Sequence, residues 1–197
     1  MNASVASFSP EEVALPSLSK GRVGMVGLII AESAIFTIFV VAYLFYLGKS
    51  LGGPSPQQLL ELPIINTICL LSSSATITLA GRALGRGREH LFRIWWIVTI
   101  ALGAYFLAGT AREWGRLIHE GLTITTNLFG TTYYSLVGLH AFHVVVGLLA
   151  LTLVLMFASC GSVKSKDMGR IEVLALYWHF VDVVWVVVFT VVYIIGR

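Results

Sequence analysis

Long apolar stretches alternate with short polar connections along most of the chain. Five such stretches can be read at 23–47, 62–80, 94–111, 128–156 and 173–195. A helix needs about 20 mostly apolar residues to cross the hydrocarbon core of a bilayer. The pattern therefore predicts an all-α membrane protein, a bundle of five transmembrane helices.

Glycine, proline and charged residues mark the connections between these stretches. The connections lie at 48–56, 81–90, 112–121 and 161–170, and all are short, which predicts one compact transmembrane domain over 23–197. Residues 1–22 hold no basic residue before Lys20 and precede an apolar run too long for a signal-peptide core. We interpret 1–22 as a polar N-terminal tail.

Composition agrees with the membrane assignment. Of 197 residues, 57% are hydrophobic and 12% charged, and the mean hydropathy of +0.86 excludes an ordinary soluble globular domain. The net charge of +3 fits headgroup contacts and topology, so no nucleic-acid partner is expected. The expected location is the bacterial inner (plasma) membrane, crossed several times.

Basic residues are distributed unevenly between the two ends of the predicted helices. One end carries Lys20, Arg22, Arg82, Arg86, Arg88, Arg93, Lys164, Lys166 and Arg170, and the other carries Lys49, Arg112, Arg116 and Arg197. Short loops rich in lysine and arginine stay in the cytoplasm. The N-terminus is therefore predicted to be cytoplasmic and the C-terminus outside.

Four ionisable residues fall at membrane depth. Glu32, His140, His143 and Asp182 lie roughly 14 to 23 Å along their predicted spans, near the middle of a layer about 30 Å thick. Glu113 lies at the outer end of the third span, where we expect an ordinary interface residue.

A charge at the centre of a span costs about 2.5 to 3.5 kcal/mol, so such a residue needs a partner inside the bundle. Two interpretations remain open: a polar contact that joins helices, or a proton, ion or cofactor site. For Glu32 we expect a histidine of the fourth or fifth span, or a lipid-lined crevice, as its neighbour.

Helical spacing places these residues on shared faces. On the first span, Glu32 shares a helix face with Phe36, Phe39 and Tyr43. On the fifth span, Trp178 shares a face with Asp182 and Trp185, and His179 lies on an adjoining part of that face. On the fourth span His140, His143 and Gly147 line one side, where glycine permits close helix approach.

Several of these segments resemble subunit III of the haem-copper terminal oxidases, in its short five-helix bacterial form. The similar segments are YWHFVDVVW at 177–185, FGTTYYSLVGLHAFHVVVG at 129–147, AES with IFTIFVVAY at 31–43, LPIINTICLLSSSATITLA at 62–80 and TIALGAYFLAGTAREW at 99–114. They cover all five spans in order.

The resemblance implies a non-catalytic core subunit of a proton-translocating oxidase that itself binds no haem, copper or other metal. Haem and copper are expected in partner subunits I and II, beside which this chain packs, with a small subunit IV or a respiratory supercomplex as further partners that the resemblance allows. Bound structural phospholipid and support of proton uptake and turnover stability are also implied. The residues carried over as buried polar, structural or lipid-facing are Glu32, Glu113, His140, His143, Tyr177, Trp178, His179, Asp182 and Trp185. Where the family often has glutamine, three residues before Glu113, this chain has Thr110.

The resemblance covers cytochrome c oxidases and quinol oxidases. The segment VVVFTVVYIIG at 186–196 resembles the quinol branch, whereas Glu32, where some quinol enzymes have aspartate, resembles the cytochrome c branch. We expect a cytochrome c oxidase, with a quinol oxidase as the alternative. A membrane haem-b anchor subunit is a rival, but His140 and His143 lie three residues apart on one helix and cannot take opposite faces of one haem, which leaves His179 as the trans ligand. A small transporter would favour broken helices and inverted repeats, and the sequence shows neither.

Overall fold

The computed structural model describes residues 20–50, 52 and 60–196. All regular structure in this part is helical: α1 is Lys20–Tyr46, α2 Ile64–Gly85, α3 Glu89–His119, α4 Leu128–Ser159 and α5 Met168–Phe189, with a 3₁₀ turn at Ser165–Asp167 before α5 and a π-helical end at Thr190–Ile195 after it. Five helical segments are long and apolar enough to cross a membrane. The prediction of an all-α, five-helix membrane protein is confirmed.

Several helices extend beyond the apolar stretches. The predicted tail includes 20–22, which form the first turn of α1, whereas 1–19 lie outside the described residues, as do most of 51–59 and Arg197. The third helix continues past the apolar stretch 94–111 through Arg112 to His119. Arginine, glutamate and leucine are good helix formers, so a helix continues into the interface after its apolar stretch has ended.

The helices end sharply at glycines. Gly87 follows α2 with φ 72° and Gly121 follows α3 with φ 84°, a left-handed conformation that glycine adopts at little steric cost. At the start of α4 the side chain of Asn127 accepts a hydrogen bond from the backbone N–H of Gly130 at 2.8 Å. These ends fix the two short connections, 86–88 and 120–127, and make the joined helices antiparallel neighbours.

Packing places α5 in the interior and α1 at the side of the bundle. The α2–α3 hairpin has the most extensive contact, α5 packs on α1, α2 and α4, and α1 packs chiefly on α4 and α5. In the most apolar 18-residue segment of the last span, Ser165–Ile195, 50% of the residues are buried, whereas the corresponding share for α1 is 6%. The polar residues of α5 therefore meet three other helices.

Candidate functional site

Glu32 and His143 form a polar pair between α1 and α4. The Oε2 atom of Glu32 lies 3.1 Å from Nε2 of His143, and the side chains are 22% and 8% exposed. Nδ1 of His143 lies 2.8 Å from the carbonyl oxygen of Leu139, which can only accept, so Nδ1 carries a hydrogen. The bond to Glu32 then needs one more proton, on Nε2 or on the carboxyl group. The pair holds one shared proton at membrane depth.

Aromatic side chains enclose this pair. The ring centroids of Phe36 and His143 are 5.0 Å apart, and Phe180 of α5 meets Phe36 edge-on at 6.4 Å. The hydroxyl of Tyr177 donates to the carbonyl oxygen of His143 at 3.1 Å. The expected histidine neighbour of Glu32 is therefore found on the fourth span, and residues of α5 hold its backbone and its surroundings.

A second polar cluster joins α2 and α5. The Ser74 hydroxyl donates to Oδ2 of Asp182, and Nδ1 of His179 lies 2.9 Å from the same hydroxyl oxygen. Because that hydroxyl has a single hydrogen, already given to Asp182, His179 must donate to Ser74. The bonds run in one direction, from His179 through Ser74 to Asp182, whose side chain is almost completely buried.

Two indole groups of α5 also bind hydroxyls of α2. Nε1 of Trp178 donates to Oγ of Ser73 at 2.8 Å, and Nε1 of Trp185 donates to Oγ1 of Thr67 at 3.1 Å. The sequence pattern did not predict these hydroxyl partners. It contained a signal for Thr67, which recurs with Ser74 and Thr78 at i, i+7 and i+11 on one face of α2, but none for Ser73, which lies off that face.

His140 lies apart from both clusters. It is 1% exposed, and within the described part of the chain neither ring nitrogen has a hydrogen-bond partner. Its ring centroid lies 5.8 Å from that of Phe106 and 5.0 Å from that of Trp185. His140 and His143 share a helix face as predicted, but His140 packs among aromatic rings of α3 and α5, whereas His143 bonds to α1.

Glu113 is not the ordinary interface residue that was expected, because its carboxylate is hydrogen-bonded to a tyrosine of the last span. The Tyr193 hydroxyl lies 3.0 Å from both of its carboxylate oxygens, and the Tyr133 hydroxyl lies 3.4 Å from that of Tyr193. Because α3 continues as a helix, Glu113 turns toward the bundle, and the π-helical end of the last span places Tyr193 opposite it. Thr110 bonds to its own helix, at the carbonyl oxygen of Phe106.

The described residues hold no group of three or more histidine, cysteine, aspartate or glutamate side chains that could bind a metal ion. For the haem-b interpretation, both ring nitrogens of His143 and both of His179 already have hydrogen-bond partners, although the contact from Nε2 of His179 to Thr78 is long at 3.5 Å. The ring nitrogens of His140 have none among the described residues, but His140 lies on the same helix as His143. The geometry is that of polar contacts between helices.

Comparison with known proteins identifies the family. The sequence model of the family described as cytochrome c oxidase subunit III matches residues 15–197. The chain belongs to this family. It is 38% identical over 168 residues to cytochrome c oxidase subunit 3 of Bacillus sp. (strain PS3), covering 84% of this chain and 81% of that one.

Two further relatives carry different names. Cytochrome c oxidase subunit 3 of Synechocystis sp. is 38% identical over 176 residues, covering 87% of this chain and 74% of the relative. Quinol oxidase subunit 3 of Bacillus subtilis is 33% identical over 181 residues, covering 89% of both chains. The chain is thus a subunit III of a haem-copper oxidase, a multi-pass protein of a bacterial membrane that belongs to a terminal oxidase complex.

Proposed function

We propose that this chain is a cofactor-free core subunit that packs beside the catalytic subunit I and supports proton uptake and stability during turnover. The observation that carries the proposal is the internal pairing of its intramembrane ionisable residues. Glu32 pairs with His143, and Asp182 bonds to Ser74 beside His179. Such pairs hold helices together where an unpaired polar group would be expensive, which suits a structural subunit.

Deletion of the chain tests this role. We expect the remaining oxidase to keep its haem content, measured from reduced-minus-oxidised spectra, while its activity declines during sustained turnover or at high pH as proton supply falters. Loss of a spectroscopically distinct haem together with the chain would contradict the cofactor-free assignment. Complementation with the wild-type chain is the control.

We further propose that the complex is of the cytochrome c type, with subunits I and II as partners and bound phospholipid between helices. The acid at Glu32 supports this choice, and the two relatives at 38% identity are both cytochrome c oxidase subunits. Purification in mild detergent identifies the partners. Oxygen consumption by that complex with reduced cytochrome c, compared with a quinol, tests the donor, and turnover with quinol alone would overturn the choice.

A further inference from the structure

A groove of about 290 Å³ leads from the predicted cytoplasmic end of the bundle to His179. It runs between α2 and α5, with Arg82 and Glu172 at its outer part and Thr78 and His179 further in. Glu172 lies seven residues before His179 on α5, so the groove covers about 10 Å of depth. One molecule occupies roughly 30 Å³ in liquid water. The groove is therefore large enough to bring several water molecules to the imidazole.

The imidazole of His179 is bonded on one side and incomplete on the other. With Asp182 as a carboxylate, Nδ1 of His179 carries the hydrogen that is donated to Ser74. Nε2 of a neutral imidazole then has only a lone pair. It lies 3.5 Å from the hydroxyl oxygen of Thr78, and the single hydrogen of that hydroxyl is donated to the carbonyl oxygen of Ser74 at 2.9 Å. Two lone pairs therefore face each other where the chain of bonds meets the groove.

One added proton satisfies every group of this chain of bonds. With Asp182 protonated at Oδ2, the bonds run in the opposite direction: the carboxyl group donates to Ser74, Ser74 donates to Nδ1 of His179, and Nε2–H donates to Thr78. Oδ1 of Asp182 is buried and has no partner within the described part of the chain. An unbonded oxygen costs less on a neutral acid than on a carboxylate, because burial of a charge is the more expensive. The geometry therefore accommodates a proton on Asp182.

No fixed charge holds Asp182 in its ionised form. Among the described residues, neither Asp182 nor His179 takes part in an ion pair with the surrounding charged and imidazole groups. Those groups, inside the bundle or at the groove, are Arg22 and Glu32 of α1, Arg82 of α2, His140 and His143 of α4 and Glu172 of α5. Arg22 pairs with Glu172, and Glu32 pairs with His143. The protonation of Asp182 is thus governed by its own cluster.

We propose that Asp182 is a proton-binding site that exchanges with cytoplasmic water through Ser74, His179 and this groove. A proton from water in the groove binds Nε2 of His179, Nδ1 passes its hydrogen to Oγ of Ser74, and Ser74 passes its own hydrogen to Oδ2 of Asp182. Each bond to hydrogen that breaks is replaced by one that forms, so the cluster takes up one proton and needs no other reactant. The inference goes beyond the proposed function, because it requires no transfer of that proton to subunit I.

Infrared spectroscopy of the intact oxidase complex tests the site. The carbonyl stretching band of a protonated carboxyl group should grow as the pH is lowered, and Asp182→Asn should remove that band. After transfer to heavy water the band should shift quickly in the wild-type complex. In His179→Phe the exchange would require local opening of the helices, so it should slow by about tenfold or more. His119→Phe, at the exposed end of α3, is the matched control and should leave the rate unchanged.

A second variant tests the groove while the bonded side chains stay in place. Ala175 lines the groove, so Ala175→Phe should fill it and slow the exchange. Ala101→Phe, at an exposed position of α3, is its control and should exchange at the wild-type rate. Absence of any pH-dependent carboxyl band that Asp182→Asn removes would overturn the proton site. Exchange at the wild-type rate in either His179→Phe or Ala175→Phe would overturn the route through the groove.

Discussion

Glu32 and Asp182 are both acids at membrane depth, but they differ in access from the lipid. The Glu32 side chain is 22% exposed on α1, the helix with the largest exposed share, whereas Asp182 is 3% exposed inside the bundle. A reagent dissolved in the hydrocarbon can therefore reach Glu32 and not Asp182.

This difference predicts selective modification by an apolar carbodiimide. Glu32 should be labelled in preference to Asp182, which is enclosed, and to Glu89 at the start of α3, which lies in the interface. Glu32→Gln should abolish labelling and preserve assembly, since an amide still bonds to His143. Peptide mass spectrometry measures the label. Labelling that persists unchanged in Glu32→Gln, or that falls equally on the tail acids Glu11 and Glu12, would contradict the prediction.

Ser74 is the residue on which the Asp182 cluster depends. Oδ1 of Asp182 is buried and has no partner among the described residues, so the bond from Ser74 to Oδ2 is the one that satisfies the group. Ser74→Ala should destabilise the subunit by about 1 to 3 kcal/mol, the cost of leaving a buried polar group unbonded. Denaturation of the purified complex in detergent measures the change.

Two further variants make this prediction specific. Asp182→Asn keeps an oxygen that accepts from Ser74 and should have a smaller effect than Ser74→Ala. Ser159→Ala is the control, because the Ser159 hydroxyl is exposed and bonds to its own helix at Leu155. Equal stability of the Ser74→Ala and Ser159→Ala variants would show that the Ser74 bond contributes nothing.

The sequence predicts that the acids Glu32 and Asp182 need bonding partners inside the bundle, but it identifies those partners only in part. The cost of an acid in lipid predicts either a histidine of the fourth or fifth span or a lipid-lined crevice beside Glu32, and the structure has His143 there. The sequence did not predict Ser74 beside Asp182. Serine is common in apolar helices, and its usual bond is to its own helix, as Ser73 bonds to Leu70 here. Which hydroxyl crosses to a neighbour depends on helix rotation, which periodicity leaves undetermined.

Among the elements, α5 is held in place by the fit of Trp178 between two glycines. A Cβ atom at Gly147 of α4 would lie 2.6 Å from Cζ3 of Trp178, and one at Gly103 of α3 would lie 2.9 Å from Cη2. The indole N–H binds Ser73 of α2. One side chain of α5 thus contacts three other helices, which is why close packing at both glycines matters.

Gly147→Ala should therefore weaken the bundle. The added methyl group forces the indole or α4 to move, and overpacking of a core costs about 1 to 3 kcal/mol. Gly27→Ala is the matched control, since nothing lies within 4 Å of its Cβ position and alanine is the better helix former. The thermal midpoint should fall for the first variant and stay level or rise for the second. Adding Trp178→Phe to Gly147→Ala should recover part of the loss, and a fall without any such recovery would argue against an indole clash.

The helix ends were the least predictable part of the elements. Apolar stretches mark where a chain can lie in lipid, but α3 continues beyond its stretch because polar helix formers follow it, and the last span finishes as a π-helix. The contact between Glu113 and Tyr193 depends on both features. Periodicity with a fixed repeat of 3.6 residues cannot predict a contact that follows from a local change in that repeat.

At the scale of the whole molecule, five helices in series place the first and last residues of the bundle at opposite ends. The connection 86–88 between α2 and α3 lies at the end where α1 begins, and the π-helical end of the last span lies at the other. Nine basic residues flank the first end and four the second. Because lysine and arginine in short loops are retained in the cytoplasm, the first end should be the cytoplasmic one.

Reporter fusions test this orientation. A reporter active only outside the cytoplasm, fused after Arg197, should be active, and the same reporter inserted at 86–88 should be silent; a reporter that works only in the cytoplasm should give the opposite result. Substituting Arg82, Arg86 and Arg88 with glutamine should weaken the bias, whereas substituting Arg112 and Arg116 should not, because only the former charges oppose translocation. Reversed activities in the wild-type chain would place the contact between Glu113 and Tyr193 at the cytoplasmic side. The contacts between helices would be unchanged by that reversal, because they depend on packing and not on which side of the membrane each end faces.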